Sequence, residues 1–227
     1  MPVWSIADNT ARGSLASRMR RSRFSLFLGL IDQLPPPINI LDIGGTASYW
    51  KMMDYVDHDG VEIIILNIDI HDTGDAGIFR HVVCNACDLG AFPDNSFDVV
   101  YSNSVIEHVG TPNDQFRMAV EVQRVGRRHF IQTPNRYFPI EPHFLFPFFQ
   151  FLPVAVRAQF ARRLDLGWVG RIPDPVAARK FVENTRLLGR RRFSSLFPRS
   201  TIVAEKLGPL TKSLISVQGW ADVPKSV

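Results

Sequence analysis

The sequence predicts an α/β fold: a doubly wound, mostly parallel sheet finished by an antiparallel pair of strands at the C-terminal end. Three observations lead there. Short apolar runs rich in β-branched residues recur with stretches of helical spacing between them, the pattern of β-α-β units whose sheet is covered on both faces. The first such run breaks at Gly44-Gly45, and the chain closes with two strand-like segments divided by Gly208-Pro209.

Between Ser14 and Leu34, the residues Leu15, Met19, Phe27, Leu28, Ile31 and Leu34 fall near helical spacing with arginines among them, which predicts an amphipathic helix. Pro35-Pro36-Pro37 stops it. Ile38 to Ile43 then reads as a buried strand, Tyr49 to Tyr55 as a helix, and Val61 to Asp69 as a second buried strand that ends in an acid. His81 to Cys84 and Phe97 to Ser102 supply the third and fourth strands, Asp114 to Val125 a helix, and His129 to Thr133 a fifth strand closed by Pro134. Six of the 17 phenylalanines and four prolines fall between Tyr137 and Pro153, so regular helix is broken there. Arg179 to Leu188 reads as a helix, and Thr201 to Leu207 and Ser213 to Gln218 as the terminal strands. The organisation expected is one domain over 1–227, divided into an N-terminal helical segment (1–37), a core (38–136), an aromatic and basic elaboration (137–198) and the terminal strands (199–227).

With 45% hydrophobic and 21% charged residues among 227, the composition suits a soluble globular chain with one substantial core. Cys84 and Cys87 are too few for a disulfide scaffold and lack the second pair that a structural zinc needs, which favours a reducing, cytoplasmic setting. The basic run Arg18, Arg20, Arg21, Arg23 is not followed by a secretory pattern, and no apolar run is long enough to span a bilayer. Charge is uneven: residues 1–150 carry 12 Lys and Arg against 17 Asp and Glu, whereas residues 151–227 carry 14 against 5. The basic end reads as a solvated face or as the contact for an anionic partner, and peripheral contact with the inner face of a membrane stays open.

A strand that runs into Asp42-Ile43-Gly44-Gly45-Thr46 and then a helix lets backbone N–H groups approach a ligand, because glycine has no side chain to block it. Asp69 closes the next strand, where an acid can accept hydrogen bonds from ribose hydroxyls, with Asn67 a weaker candidate on the same face. In "ILDIGGTAS", "LNIDI", "NACDLGAFPDNSFDVVYSNSVIEHV" and "IQTPNRYFP", together covering roughly residues 38–139, the chain resembles the class I S-adenosylmethionine-dependent methyltransferases. These are Rossmann-like, and the likeness is to the small-molecule enzymes that include the quinone-biosynthesis group. The resemblance implies S-adenosylmethionine as cofactor, with Asp42, Gly44 and Gly45 around its methionine part, Asp69 and Ile70 at the ribose, Asn85 and Ala86 flanking the adenine, and Asn103 and Ser104 bordering the methyl group. Thr46 and Ser48 stand where the family's loop carries its later glycines, and Asn85 stands for an aspartate whose role an amide oxygen can still fill.

Methyl transfer needs an aligned nucleophile, and a hydroxyl or ammonium acceptor must also lose a proton. His108, just past the fourth strand, is the leading base candidate; the alternative is a histidine that caps the following turn. Glu107 could orient His108 or hold a cationic acceptor. In quinone-type relatives this stretch carries acids and a histidine associated with a divalent metal, but Ser104 replaces one acid here, so no metal is expected. Tyr137, Glu141 and His143 form a second polar set; His143 is a further base if this segment covers the acceptor, whereas the lack of periodicity favours reading Glu141 and His143 as surface-loop residues. The phenylalanines read as core, as the wall of an apolar acceptor pocket, or as a membrane-facing patch beside Arg157, Arg162 and Arg163. The expected acceptor is an oxygen or nitrogen nucleophile of a small molecule, lipid or saccharide. A nucleic-acid substrate held by Arg186, Arg190, Arg191 and Arg192, with Phe193 for stacking, is less favoured because no N-P-P-Y signature follows the fourth strand. A non-catalytic binding protein is the third alternative, and a nicotinamide oxidoreductase is disfavoured because the loop does not read G-x-G-x-x-G. The oligomeric state is not legible.

Overall fold

A computed structural model describes residues 14–56, 58–69, 77–167 and 169–227. Helix α1 (Leu15–Ile31) begins at Ser14, whose side chain accepts the Ser17 N–H. Strand β1 (Ile38–Ile43) leads through the glycine turn into α2 (Ala47–Met52), followed by β2 (Val61–Asn67), β3 (Phe79–Val83), β4 (Val99–Asn103), α3 (Pro112–Val125) and β5 (His129–Pro134). The elaboration comprises a small hairpin of β6 (Ile140–Glu141) and β7 (Phe146–Pro147), a short 3-10 turn at Phe149–Phe151, α4 (Val154–Arg163), α5 (Pro175–Asn184) and α6 (Arg190–Leu196). The hairpin β8 (Thr201–Leu207) and β9 (Leu210–Gln218) ends the chain.

The main sheet has seven strands in the order β3-β2-β1-β4-β5-β9-β8. The first five are parallel, β9 runs antiparallel to β5, and β8 pairs antiparallel with β9. This is the doubly wound, mostly parallel sheet with an antiparallel C-terminal pair that the sequence predicts. Strand order reverses between β1 and β4, so a crevice opens at their carboxyl ends, the usual ligand position in such sheets.

Alternation along the strands sorts the side chains. Leu41, Ile43, Val100 and Ile131 point to the layer of α3 and α6, whereas Ile40, Tyr101 and Phe130 face α1 and α2, packing on Phe27 and Trp50. Asp42 shares the parity of Ile40 and Asn103 that of Tyr101, so both polar side chains emerge on the α1 and α2 side of the crevice. A third apolar cluster, with Phe144, Phe149, Ala158, Ala161 and Val182, lies within the elaboration. Three of the segment's phenylalanines, Phe138, Phe144 and Phe149, are therefore buried, while Phe148 and Phe151 are exposed.

Helix boundaries differ from the sequence reading for local reasons. Thr46 caps α2 by accepting the Tyr49 N–H, so that helix starts earlier than Tyr49. Thr111 and Asp114 form a reciprocal capping box that starts α3 at Pro112. The helix expected over Arg179 to Leu188 spans Pro175–Asn184 instead, because Asp174 accepts the Ala177 N–H at 2.6 Å and Pro175 occupies the first position. Replacing Asp174 with alanine is expected to cost about 1 kcal/mol in urea unfolding. Helices α4 and α6 have no counterpart in the sequence reading; α4 begins directly after Pro153, which starts a helix there instead of breaking one. No helix among the described residues is long and apolar enough to cross a membrane.

Candidate active site

The crevice is built around the β1 turn. Gly44 has φ +73° and a Cβ there would meet Val105 Cγ2 at 2.5 Å, while a Cβ on Gly45 would fall on the Asp42 carboxylate. The turn is held from outside by Asn67 Nδ2, which donates to the Gly45 carbonyl at 2.9 Å, and by the Gly44 N–H, which donates to the Leu66 carbonyl at 2.7 Å. Thr46 takes extended backbone at φ −142°, a conformation open to any residue, and its hydroxyl contacts Ser48 Oγ at 2.9 Å. Neither departure from the family's glycines therefore strains the loop. Gly45→Ala is expected to lower nucleotide-type ligand affinity at least tenfold, read by calorimetry, since the methyl group displaces Asp42.

Asp42 is almost wholly buried. Its Oδ2 accepts from Trp50 Nε1 at 2.6 Å, and Oδ1 has no partner among the described residues. Loss of solvent pushes this carboxyl up to about 7, against the opposing Trp50 hydrogen bond. Asn103 Oδ1 is likewise buried without a partner. Around these groups the crevice encloses about 260 Å³, with Arg20 from α1, Tyr49 and Met52 from α2, and Tyr101 from β4 completing its wall. The hydroxyls of Tyr49 and Tyr101 touch at 2.5 Å.

A second cavity of about 330 Å³ shares Arg20 and Asn103 with the crevice. Its walls are mostly apolar, from Leu15, Ala16, Met19, Phe138, Ile140 and Leu145. One end is polar. There Arg23 Nη1 meets both oxygens of Glu205 at 2.9 and 3.0 Å, Ser213 Oγ donates to the same carboxylate, and Lys212 has its proton affinity lowered by burial. Ser104 faces this cavity, held by its N–H on the Gln132 carbonyl at 3.1 Å and its hydroxyl on Gln132 Oε1 at 2.9 Å.

His143 also lines the second cavity and belongs to a chain of polar contacts. Glu141, 2% exposed, accepts His143 Nδ1 at 2.7 Å and the N–H groups of His143 and Phe144 at 2.8 and 2.7 Å. His143 Nε2 lies 3.0 Å from His108 Nε2 and 3.9 Å from Glu107 Oε1. Burial alone would depress His143, but the bond and charge of Glu141, helped by Glu107, raise it above the ordinary histidine range. His108 is pushed down to about 4 by loss of solvent on its inner side and by the charge of His143, although its outer edge is exposed. Of the two rings His143 is therefore the one that holds a proton more readily, and their Nε2 atoms lie at hydrogen-bond distance. Glu107 is fully buried, accepts Thr133 Oγ1 at 2.9 Å, and is pushed up to about 7 by burial.

The family model described as a methyltransferase domain matches residues 42–129, from the loop acid to the start of β5. Over these residues the chain is similar to S-adenosylmethionine-dependent methyltransferase domains. Two uncharacterized proteins, one from each of two strains of Mycobacterium tuberculosis, share 36% identity with this chain over 66 residues, 29% of this chain and 22% of theirs. The match thus spans about a fifth of the length of those relatives. Among solved structures, a SAM-dependent methyltransferase from Methanosarcina mazei superposes with a TM-score of 0.50 at 16% identity, over 83% of this chain and 94% of that one. The CurJ carbon methyltransferase gives 0.53 at 14% identity, over 89% and 54%. A 1,6-didemethyltoxoflavin-N1-methyltransferase from Burkholderia thailandensis, solved with 1,6-didemethyltoxoflavin and S-adenosylhomocysteine, gives 0.50 at 14% identity, over 88% and 76%. At these identities the likeness is one of fold.

The crevice gathers Asp42, Gly44, Gly45 and Asn103 among the residues expected from sequence. Asp69 stands exposed beyond β2, Asn85 accepts the Cys87 N–H at 2.9 Å through its side-chain oxygen, and Ala86 is buried in the core, so these three do not line the crevice as it stands. Ile70 lies outside the described residues. Glu107, His108 and His143 do come together, and Glu141 and His143 are built into the fold instead of decorating a surface loop. Glu107 is sealed from solvent, which leaves it no open face for a cationic acceptor. Glu107, His108 and His143 also offer one oxygen and two nitrogens within 4.8 Å of one another, a third donor that sequence alone does not place beside the other two. The crevice residues missed were Arg20, Tyr49, Met52 and Tyr101; the basic run on α1 was their one sequence signal.

Proposed function

We propose that this chain is a methyltransferase, transferring the methyl group of S-adenosylmethionine to an oxygen or nitrogen nucleophile of a small, largely apolar acceptor seated in the 330 Å³ cavity. One observation carries the reading: crevice and cavity meet at Asn103 and Arg20, so donor and acceptor would be held on either side of one partition. S-adenosylmethionine supplies an electrophilic methyl group, and the chain's work is to bind, align, exclude water and take up a proton. Asp42, with its free Oδ1, would hold the cofactor's ammonium group, and Asn103 would border the methyl. The cavity's apolar walls would seat the acceptor, with Lys212 and Arg20 favouring one with an anionic end.

His143 is the base in this reading, since it faces the cavity and Glu141 fixes its Nδ1 proton, leaving Nε2 for the acceptor once its own proton has left toward His108 or solvent. His108, the leading candidate from sequence, serves as its hydrogen-bond partner. Filling the cavity with Ala16→Trp tests the assignment, using the best acceptor from a screen of phenols, hydroxy acids and amines. S-adenosylhomocysteine affinity is expected to change by less than about threefold, with turnover falling at least tenfold. Lost cofactor affinity with unchanged turnover per bound cofactor would move the acceptor elsewhere.

A further inference from the structure

A third cavity, of about 850 Å³, opens between the start of the elaboration and the segment joining α5 to α6. Arginines dominate its lining: Arg136 follows β5, Arg157 lies on α4, Arg186 follows α5, and Arg191 and Arg192 lie on α6. Among the described residues none of the five is paired with a carboxylate. Arg157 Nη1 donates to the Val182 carbonyl at 3.1 Å and Arg192 Nη2 to that of Pro112 at 3.0 Å, while Arg157 Nε is buried with no partner. Both acids on the wall are engaged: Glu141 by His143 and Phe144, and Glu183 by Arg179 at 3.0 Å. Burial lowers the proton affinity of Arg157; the charge of Glu141 opposes this, the charges of Arg136 and Arg186 add to it, and Glu183 opposes it more weakly.

Grouping five guanidiniums in a concave site whose two acids are engaged elsewhere is costly unless a ligand supplies the negative charge, and their paired donors match phosphate oxygens better than a single carboxylate. The exposed ring of Tyr137 stands beside Gly189 at the same cavity and offers an apolar face for the organic part of an ester. We infer that this cavity binds a phosphate- or diphosphate-bearing small molecule. The placing of five arginines from four segments around one cavity favours a compact anion over an extended nucleic acid, which needs a stripe of charge along an open surface. This site does not depend on methyl transfer, although Glu141 forms part of its wall and holds His143 in the neighbouring cavity.

Calorimetric titration of the full chain with inorganic pyrophosphate and with uridine diphosphate, at constant ionic strength set by chloride, tests the inference. Saturable binding of one equivalent is expected for at least one of them, and the tighter of the two tells a free diphosphate from its ester. Arg186→Gln, at an exposed position, is expected to weaken that binding at least tenfold while S-adenosylhomocysteine affinity stays unchanged. Arg157→Gln should do the same, with its thermal melt checking that α4 still packs. Neither anion binding saturably, or both binding with undiminished affinity in both variants, would overturn the inference. So would binding of a single-stranded RNA or of anionic phosphatidylserine vesicles that depends on Arg186 and that pyrophosphate fails to displace.

Discussion

Replacing Asp42 with asparagine is expected to weaken S-adenosylhomocysteine binding about 100-fold, roughly 2.7 kcal/mol, while making the ligand-free protein more stable above neutral pH. The two effects have one cause. Asp42 is buried with one oxygen on Trp50 and the other unpartnered, and burial holds its carboxyl up at about 7; Tyr49 and Tyr101 face it as neutral hydroxyls. A folded-state pKa above the unfolded value contributes stability that is fully present below about pH 4 and is lost as pH rises through about 7. The burden on the ligand-free fold at pH 8 is at most about 4 kcal/mol. Asparagine keeps an oxygen for Trp50 and removes the charge, so the melting temperature at pH 8 should rise and the stability curve between pH 4 and 8 should flatten. Glu107, also pushed up to about 7, leaves a residual slope of the same sign. An ammonium group in the crevice supplies the missing partner only to the ionised form, so wild-type affinity should climb as pH passes from 6 to 8 and the variant's should not. Calorimetry across that range and thermal melts of both proteins check the pair of effects; equal affinities would remove Asp42 from the cofactor site.

His143→Ala is expected to lower kcat at least 100-fold with KM within about threefold, the size of effect general-base removal produces. His108→Ala should cost less, about tenfold, because that ring only receives the His143 proton. Wild-type kcat should rise with pH through the raised His143 value, since the imidazole must be free of its proton before it can accept one. Glu141, Glu107 and His108 are the titratable groups facing it. Glu141→Gln removes the largest of the influences that raise His143, so the rising limb should move to lower pH even though the maximum falls. A structural role for Glu141 would lower the rate without moving the limb. A larger loss in His108→Ala than in His143→Ala would exchange the two assignments, and a rate abolished by EDTA and restored by a divalent cation would replace the proton relay with a cation held by the same three donors.

The central sheet was legible because its strands carry physical signatures of their own. Strand β1 is buried almost throughout, which favours a mostly apolar run, β5 is recognisable by Phe130-Ile131 and its closing Pro134, and Gly44-Gly45 is required where a Cβ would strike Val105 or Asp42. Helix starts were misplaced where a capping residue and proline precede the apolar repeat, as at Thr111-Pro112 and Asp174-Pro175. The site was half legible. Asp42 and Asn103 sit at strand ends and can be read from neighbouring residues, whereas the meeting of His108 with His143 spans 35 positions and depends on the turn between β6 and β7 coming back to the segment after β4. Arg20 and Tyr101 reach the crevice through the packing of α1 on the sheet, which no local pattern encodes. The arginines of the third cavity are scattered from 136 to 192, so in sequence they read only as a basic end.

Isothermal calorimetry of the folded chain with S-adenosylhomocysteine at pH 8 tests the cofactor site most directly. One saturable site is expected, weakened about 100-fold by Asp42→Asn and unaffected by Arg186→Gln. Absence of binding heat in a protein whose thermal melt shows a single cooperative transition would contradict it.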